Sequence, residues 1–480
     1  MRFLSLLVPL IALLTFPVRA EDVLAPERWH RHVTQDLLPF WTHPDALDGG
    51  AGLYPGMRCN DGSLFSEGAP CSEIARRPWI SRSKATVVAI SRQTYAYGVA
   101  FNMTGDPQYL RAMRRGVRAL SGPAIDPVTG RHFLRFDHES KSWRPDDREP
   151  NLVEQSYALL GLAFYYYLTR DPETLQVIQR TRENIKIAFL NPTTRGYQLH
   201  SSSSGEPSDE NHLVSYLDQI NAYLLLMTPL IEGPAGETWR ADLAEISHRA
   251  EARFYVASEN MFERHLAGAG GAARDHQAIH FGYTLKSFWF LQMAAALLGD
   301  NDRAGDLGRK GKAALTRSFS AGRGAWANSI DEAGHVDPKR SSWTFAEQSQ
   351  FAASLAIADP DMRPMLTTSQ SFWLSNFVDH QHGEVFNTVS FDGSVLEDDV
   401  PKHWAWKAGF HSFEQALTAY IAGGGILDQP IDLYFAFSDH PGYLQPYFFT
   451  ADKVAVAPAR QTEEGSVSKV TFSGISYASP

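Results

Sequence analysis

Two kinds of helical pattern alternate along the chain. Segments near 85–103, 152–169, 212–230, 281–298, 343–358 and 404–422 are apolar around most of a helical circumference. Segments near 27–40, 107–120, 172–189, 237–255, 301–319 and 361–377 carry a single apolar stripe. A helix that is apolar all round has to be enclosed, whereas a striped one faces water on one side. The pattern therefore predicts six enclosed helices ringed by six amphipathic ones, an all-α (α/α)6 barrel.

The punctuation between helices repeats with the same period. Gly105-Asp106-Pro107, Asp171-Pro172, Asp300-Asn301 and Asp359-Pro360 each follow an apolar helix and open an amphipathic one. Asp caps free N–H groups, and Pro fits the first turn because it has no N–H to lose. The spacings are 65, 129 and 59 residues, and the middle of the long gap falls at Gly233-Pro234-Ala235-Gly236. The unit is a helical hairpin of about 60–65 residues followed by a Gly-containing loop. An open solenoid would use the same unit. Against it, the first amphipathic helix lacks an apolar partner before it and the last apolar helix lacks an amphipathic one after it, so the two complete a sixth pair and close the ring. The barrel is expected over 21–425. A Pro-, Tyr- and Phe-rich, partly β extension is expected over 426–480, with alternating runs at 453–456 and 467–472.

Composition narrows the function classes. The 480 residues are 44% hydrophobic and 20% charged, which excludes a disordered or fibrous chain. Met1-Arg2, an apolar run over 3–16 and Val18-Arg19-Ala20 read as a signal peptide of 20 residues, cleaved on export to a periplasm or the outside of a cell. Removing its two arginines takes the formal charge from −10 to −12. Nucleic acid is then a poor partner, since phosphate binding needs a concentrated basic surface. No later stretch is apolar enough to predict a membrane span. The two cysteines, Cys59 and Cys71, lack the neighbours of a zinc site and in an oxidising compartment would close a small loop.

Polar residues inside enclosed helices are the candidates for chemistry, because the N-terminal ends of such helices surround one cavity. Arg92 lies in the first inner helix, Asp218 in the third and Glu347 in the fifth. The acids either pair with the arginine or bind sugar hydroxyls. His276, His280 and Tyr283 are spaced to share one face of the fourth inner helix, with Lys286 a turn further on or at the surface. The sixth begins Lys402-His403-Trp404-Ala405-Trp406-Lys407-Ala408-Gly409-Phe410-His411. Trp404 and Trp406 form either a platform for a pyranose face, with His411 as an acid or base beside it, or an aromatic core plug.

Several phrases together resemble the N-acylglucosamine 2-epimerase and cellobiose 2-epimerase family, which includes aldose–ketose isomerases. They are Ser91-Arg92-Gln93-Thr94-Tyr95 with Lys84 upstream, Trp343-Thr344-Phe345-Ala346-Glu347, the loop from Asp379 to Glu384 with Phe391-Asp392-Gly393, and Trp406-Lys407-Ala408-Gly409-Phe410-His411. The resemblance implies an (α/α)6 barrel that opens a sugar ring and moves a proton at C2 through an enediolate, with no metal and no cofactor. It implies that Arg92 polarises the carbonyl oxygen, that Glu347 holds hydroxyls or assists proton transfer, that Trp343 contacts the sugar, and that His411 is an acid/base whose reference pKa of about 6.5 suits a reversible transfer.

Two phrases depart from the family. Gly282-Tyr283-Thr284-Leu285-Lys286-Ser287-Phe288-Trp289 stands where a Gly-His-x-(Ile/Leu)-Glu-x-x-Trp phrase is expected, so Tyr replaces His and Lys replaces Glu. The run Asn211-His212-Leu213-Val214-Ser215-Tyr216-Leu217-Asp218 has lost two polar groups of an Asn-x-His-Met-His-x-x-Glu phrase, keeping Asn211 as a candidate substrate contact. Either Tyr283 with Lys286 acts as the second acid/base, or His280 replaces the missing imidazole, or the chain has left isomerase chemistry. A single base can shuttle a proton between neighbouring carbons on one face, which favours isomerisation over epimerisation. The partner expected is a mono- or oligosaccharide. The competing readings are a glycoside hydrolase using Asp218 and Glu347 and a non-catalytic sugar-binding protein. Self-association is left open.

Overall fold

The structure, a computed structural model, describes residues 23–49, 52–68, 70–77, 79–81, 83–144, 151–201, 210–266, 278–397, 399–438 and 441–477. The expected signal peptide and His276 lie outside the described residues.

The inner helices are α2 (Val87–Thr104), α4 (Leu152–Ala158 continuing as Leu160–Thr169), α6 (Val214–Gln219, Ile220–Leu224 and Leu225–Met227 in series), α8 (Phe281–Leu297), α10 (Ser342–Ala356) and α12 (Phe410–Leu427). The outer helices are α1 (Pro26–Arg31, His32–Leu37 and Leu38–Trp41 in series), α3 (Pro107–Ser121), α5 (Pro172–Phe189), α7 (Gly233–Phe254), α9 (Asn301–Ala321) and α11 (Arg363–Phe372 with Trp373–Phe377). Each inner helix packs on the next, and α12 packs on both α10 and α2, which closes the ring. The sixth hairpin joins the two ends of the chain, with α1 packed against α12.

The pattern explains these elements. Every residue of α2 from Val87 to Met103 is buried, whereas α3 buries only a stripe that includes Leu110, Met113, Val117 and Leu120. Asp106, Asp171, Asp300 and Asp359 accept backbone N–H bonds at the starts of their helices, as the repeated phrase predicts. The expected start of the last inner helix near 404 is corrected to Phe410. Trp404 and Lys407 instead bond backbone to backbone in a tight turn, and Gly409, at φ +80°, caps the helix in the left-handed region.

Short strands lie at the mouth, just before inner helices. Lys84–Thr86 pairs with Arg135–Asp137, Ala278–His280 with Ser329–Asp331, and Lys339–Ser341 with Thr388–Ser390, all antiparallel. At the opposite end the chain folds into a sheet in which Gly465–Ser476 pairs antiparallel with Ile431–Phe435, Thr450–Val456 and Arg460–Thr462. This sheet covers the closed end of the barrel, and the buried Tyr447 reaches toward the inner helices. Among the described residues no helix is long and apolar enough to cross a membrane.

Candidate functional site

Each inner helix contributes one polar side chain near its N-terminal end, and the six touch in the order in which the helices circle the barrel. The Arg92 guanidinium on α2 lies 4.3 Å from the ring centre of Tyr157 on α4. The Tyr157 hydroxyl donates to Asp218 Oδ1 on α6 at 3.2 Å, and Lys286 Nζ on α8 donates to the same oxygen at 3.0 Å. Lys286 Nζ is 3.8 Å from Glu347 Oε1 on α10, which is 3.4 Å from His411 Nδ1 on α12. On the remaining side Arg92 donates to the carbonyl of Trp406, just before α12.

This belt floors a cavity of about 600 Å³, within the range of small-ligand sites. The wall includes Arg92, Tyr157, Asp218, Tyr283, Lys286, Trp343, Trp404, Trp406 and His411. Trp406 stands 43% exposed at the rim, where one face is open to a ring. Trp343 lies between His280, stacked on it at 5.4 Å, and His411 at 6.2 Å.

Burial sets the charges. It works against the Lys286 ammonium, but Asp218, Tyr157 and Glu347 outweigh it and hold the amine well above its usual value. Burial pushes Glu347 up to about 7, with Lys286 and Arg92 opposing and Asp218 adding. Burial, then the charges of Arg92, Lys286 and Lys407, pull His411 well below 6.5, so its imidazole is neutral at pH 7. Burial raises the Tyr283 phenol further from a basic role.

The sequence candidates separate under this geometry. Arg92, Asp218, Tyr283, Lys286, Trp343, Trp404, Trp406 and His411 share the cavity, and Glu347 lies fully buried directly behind His411. Lys286 is an interior residue rather than a surface one. His280 sits behind Trp343, off the cavity wall, because it ends a strand paired to Ser329. Asn211 faces Arg253, from which it accepts at 2.9 Å, and does not reach the cavity.

Two participants escaped the sequence reading, and a third, Glu384, entered it only as the end of the Asp379–Glu384 loop, with no role assigned. Tyr157 bridges Arg92 and Asp218, and the signal for it was its position, the sixth residue of its helix like Arg92, Lys286 and Glu347 of theirs. His265 meets His212 on the wall, their Nδ1 atoms 2.9 Å apart, which no local pattern announces. Glu384 anchors the turn before α12, accepting from Lys407 at 2.9 Å, Ser412 at 2.8 Å and Trp41 at 2.7 Å. Those donors outweigh burial and keep its carboxyl below the usual range.

Two sets of donor atoms among the described residues are close enough to consider for a metal. Cys59, Cys71 and Glu73 form one, but the two sulfurs are bonded to each other. Glu347, His411 and Glu414 form the other, with the Lys286 ammonium 3.8 Å from Glu347, a fixed positive charge beside the place a cation would take.

The family model described as N-acylglucosamine 2-epimerase matches residues 72–406. A cellobiose 2-epimerase of Bacteroides fragilis is 20% identical over 414 residues, covering 82% of this chain and 97% of the relative. The solved cellobiose 2-epimerase of Spirochaeta thermophila superposes with a TM-score of 0.69 at 19% identity, over 86% of this chain and all of the other. A D-mannose isomerase structure does so at 0.65 and 14% identity, over 85% and 99%. With a family model spanning most of its length and a polar belt at the mouth of a closed helical ring, the chain belongs to the N-acylglucosamine 2-epimerase family of carbohydrate epimerases and isomerases.

Proposed function

We propose that the protein is an exported aldose–ketose isomerase that works without a metal on a free reducing sugar. The observation that carries this is His411: a neutral imidazole on the cavity wall, backed at Nδ1 by Glu347 and sharing the cavity with the Arg92 guanidinium. With the sugar ring open, His411 takes the C2 proton, Arg92 stabilises the enediolate oxygens, and His411, whose proton exchanges with solvent during the life of the enediolate, delivers a proton to C1 as the O2 hydrogen passes to O1. An aldehyde and a C2 hydroxyl become a C1 hydroxyl and a C2 ketone. Glu347 gains a charge partner when His411 becomes an imidazolium.

One base on one face suffices for this transfer, whereas epimerisation needs a proton delivered from the other face. Tyr283 occupies the place of the family's second histidine, and its raised phenol does not supply such a base. Asp218 and Glu347 do not suit hydrolysis, which places the scissile bond between two carboxyl groups. Here one lysine ammonium lies between them. Export rests on the N-terminal pattern and fits the Cys59–Cys71 disulfide.

The test is incubation with mannose, glucose and related aldoses in deuterated water. Deuterium should enter the sugar with ketose formation, and His411→Asn should slow this by about 10²-fold or more. Ketose-free exchange with inversion at C2 would indicate an epimerase, and no exchange with any aldose would remove the reading.

A further inference from the structure

Beneath the belt lies a second carboxyl group that the reaction above does not use. Glu414 sits one turn below His411 on α12 and is fully buried. A nitrogen of His411 and one oxygen each of Glu347 and Glu414 lie within 4.8 Å of one another. Tyr447, from the segment that covers the closed end, donates to Glu414 Oε1 at 2.8 Å, and its hydroxyl is 3.1 Å from that of Tyr95 on α2. Glu414 Oε2 and both carboxylate oxygens of Glu347 are buried without a hydrogen-bond partner among the described residues.

Two carboxylates so placed cannot both be ionised cheaply. Burial disfavours each charge, and each charge disfavours the other. The nearby cations offer little relief: Lys286 is already paired with Asp218, and Arg92 faces Tyr157 and the Trp406 carbonyl. The other titratable groups facing the pair, Tyr95, Tyr447 and Tyr157, are buried phenols held above their usual range, and the Gln350 amide beside Glu414 lowers its carboxyl by less than burial raises it. Both carboxyls are accordingly pushed up, Glu414 by burial and then by the charge of Glu347.

We propose that Glu414 is a positioning residue: it carries the single proton of the Glu347–Glu414 pair, so that Glu347 stays anionic, holds the imidazole proton on the Nδ1 it faces at 3.4 Å and leaves Nε2 as the basic nitrogen. Oε2 bears the proton, while Oε1 keeps its bond from Tyr447. If Glu347 held the proton instead, it would donate to Nδ1, and the neutral imidazole would present an N–H rather than a lone pair to the sugar. The inference deepens the isomerase reading, because it says how the base acquires its tautomer.

Infrared spectroscopy of the intact protein at pH 7 tests it without reference to turnover. The stretch of a protonated carboxyl should be present in the wild type, persist in Glu347→Gln and fall to about half or less in Glu414→Gln, in which the amide oxygen still accepts from Tyr447 and Glu347 is the remaining carboxyl. In the kcat/KM profile, Glu414→Gln should lose the alkaline inflection that the wild type shows when the pair gives up its proton. Should either variant misfold, the wild type labelled with ¹³C at glutamate side-chain carboxyls must show one glutamate still protonated at pH 7. Absence of a protonated carboxyl, an undiminished band in Glu414→Gln, or its loss in Glu347→Gln overturns the proposal. If these signals behave as stated while no aldose exchanges deuterium, the isomerase reading fails and the pair stands.

Discussion

Lys286 shows what one substitution does to a barrel interior. The family phrase has Glu at this position, and the lysine here reverses the sign and lies between Asp218 and Glu347. The belt can carry it only because acids flank it on both sides, since an unpaired charge at this depth is expensive. Lys286→Met should therefore leave Asp218 uncompensated and destabilise the protein by about 3–5 kcal/mol, and adding Asp218→Asn should recover part of the loss. Thermal unfolding of the two variants checks this, and equal melting temperatures for Lys286→Met and wild type would contradict it. The lysine was legible as a departure in the sequence. Its partners were not, because Asp218 lies 68 residues away along the chain.

At the scale of elements, the turn before α12 is held from outside the barrel by the loop that the disulfide closes. Arg58, next to Cys59, bonds His403 through its Nε at 3.2 Å and the carbonyls of Phe40 and Gly62. Asn60 accepts from the Lys402 backbone at 2.9 Å, and Trp404 packs against the small core of Met57, Cys59, Ile74 and Ile80. Trp404 and Trp406, both on the cavity wall, therefore depend on a loop whose ends are cross-linked over a separation of 12 residues. Replacing both cysteines by serine should cost about 3 kcal/mol, from the freedom returned to the unfolded chain. It should also raise KM more than it lowers kcat, since the loop braces the platform and not His411. A melting temperature unchanged by the double substitution would refute the bracing. The cysteine pair was readable from composition and context, but its connection to the tryptophans was not, since more than 300 residues separate them.

Across the whole molecule, enclosure of polar groups in a helical ring couples stability to pH in two opposing senses. His32, His132, His403 and His411 are all depressed by burial, His132 to about 4. Below about 6.5 the unfolded chain takes up protons that these folded histidines refuse, so each removes about 1.4 kcal/mol per pH unit on acidification, down to its own folded value. The Glu347–Glu414 pair acts in reverse, holding a proton in the folded state that the unfolded chain gives up, so its contribution is lost as pH rises. His132→Gln should flatten the fall in melting temperature between pH 6.5 and 4, and parallel curves for variant and wild type would count against it. The periodic alternation of enclosed and striped helices, with the Asp caps, was enough to specify six hairpins, because burial and capping act locally along the chain. The phrases around Arg92, Glu347 and His411 likewise announced a sugar site. The order of contacts around the belt, the pairing of Lys286 with Asp218 and the carboxyl pair beneath His411 came only from closure of the ring. Closure brings side chains from six distant helix starts into contact, and the charge each group carries depends on what then faces it and on how little water remains.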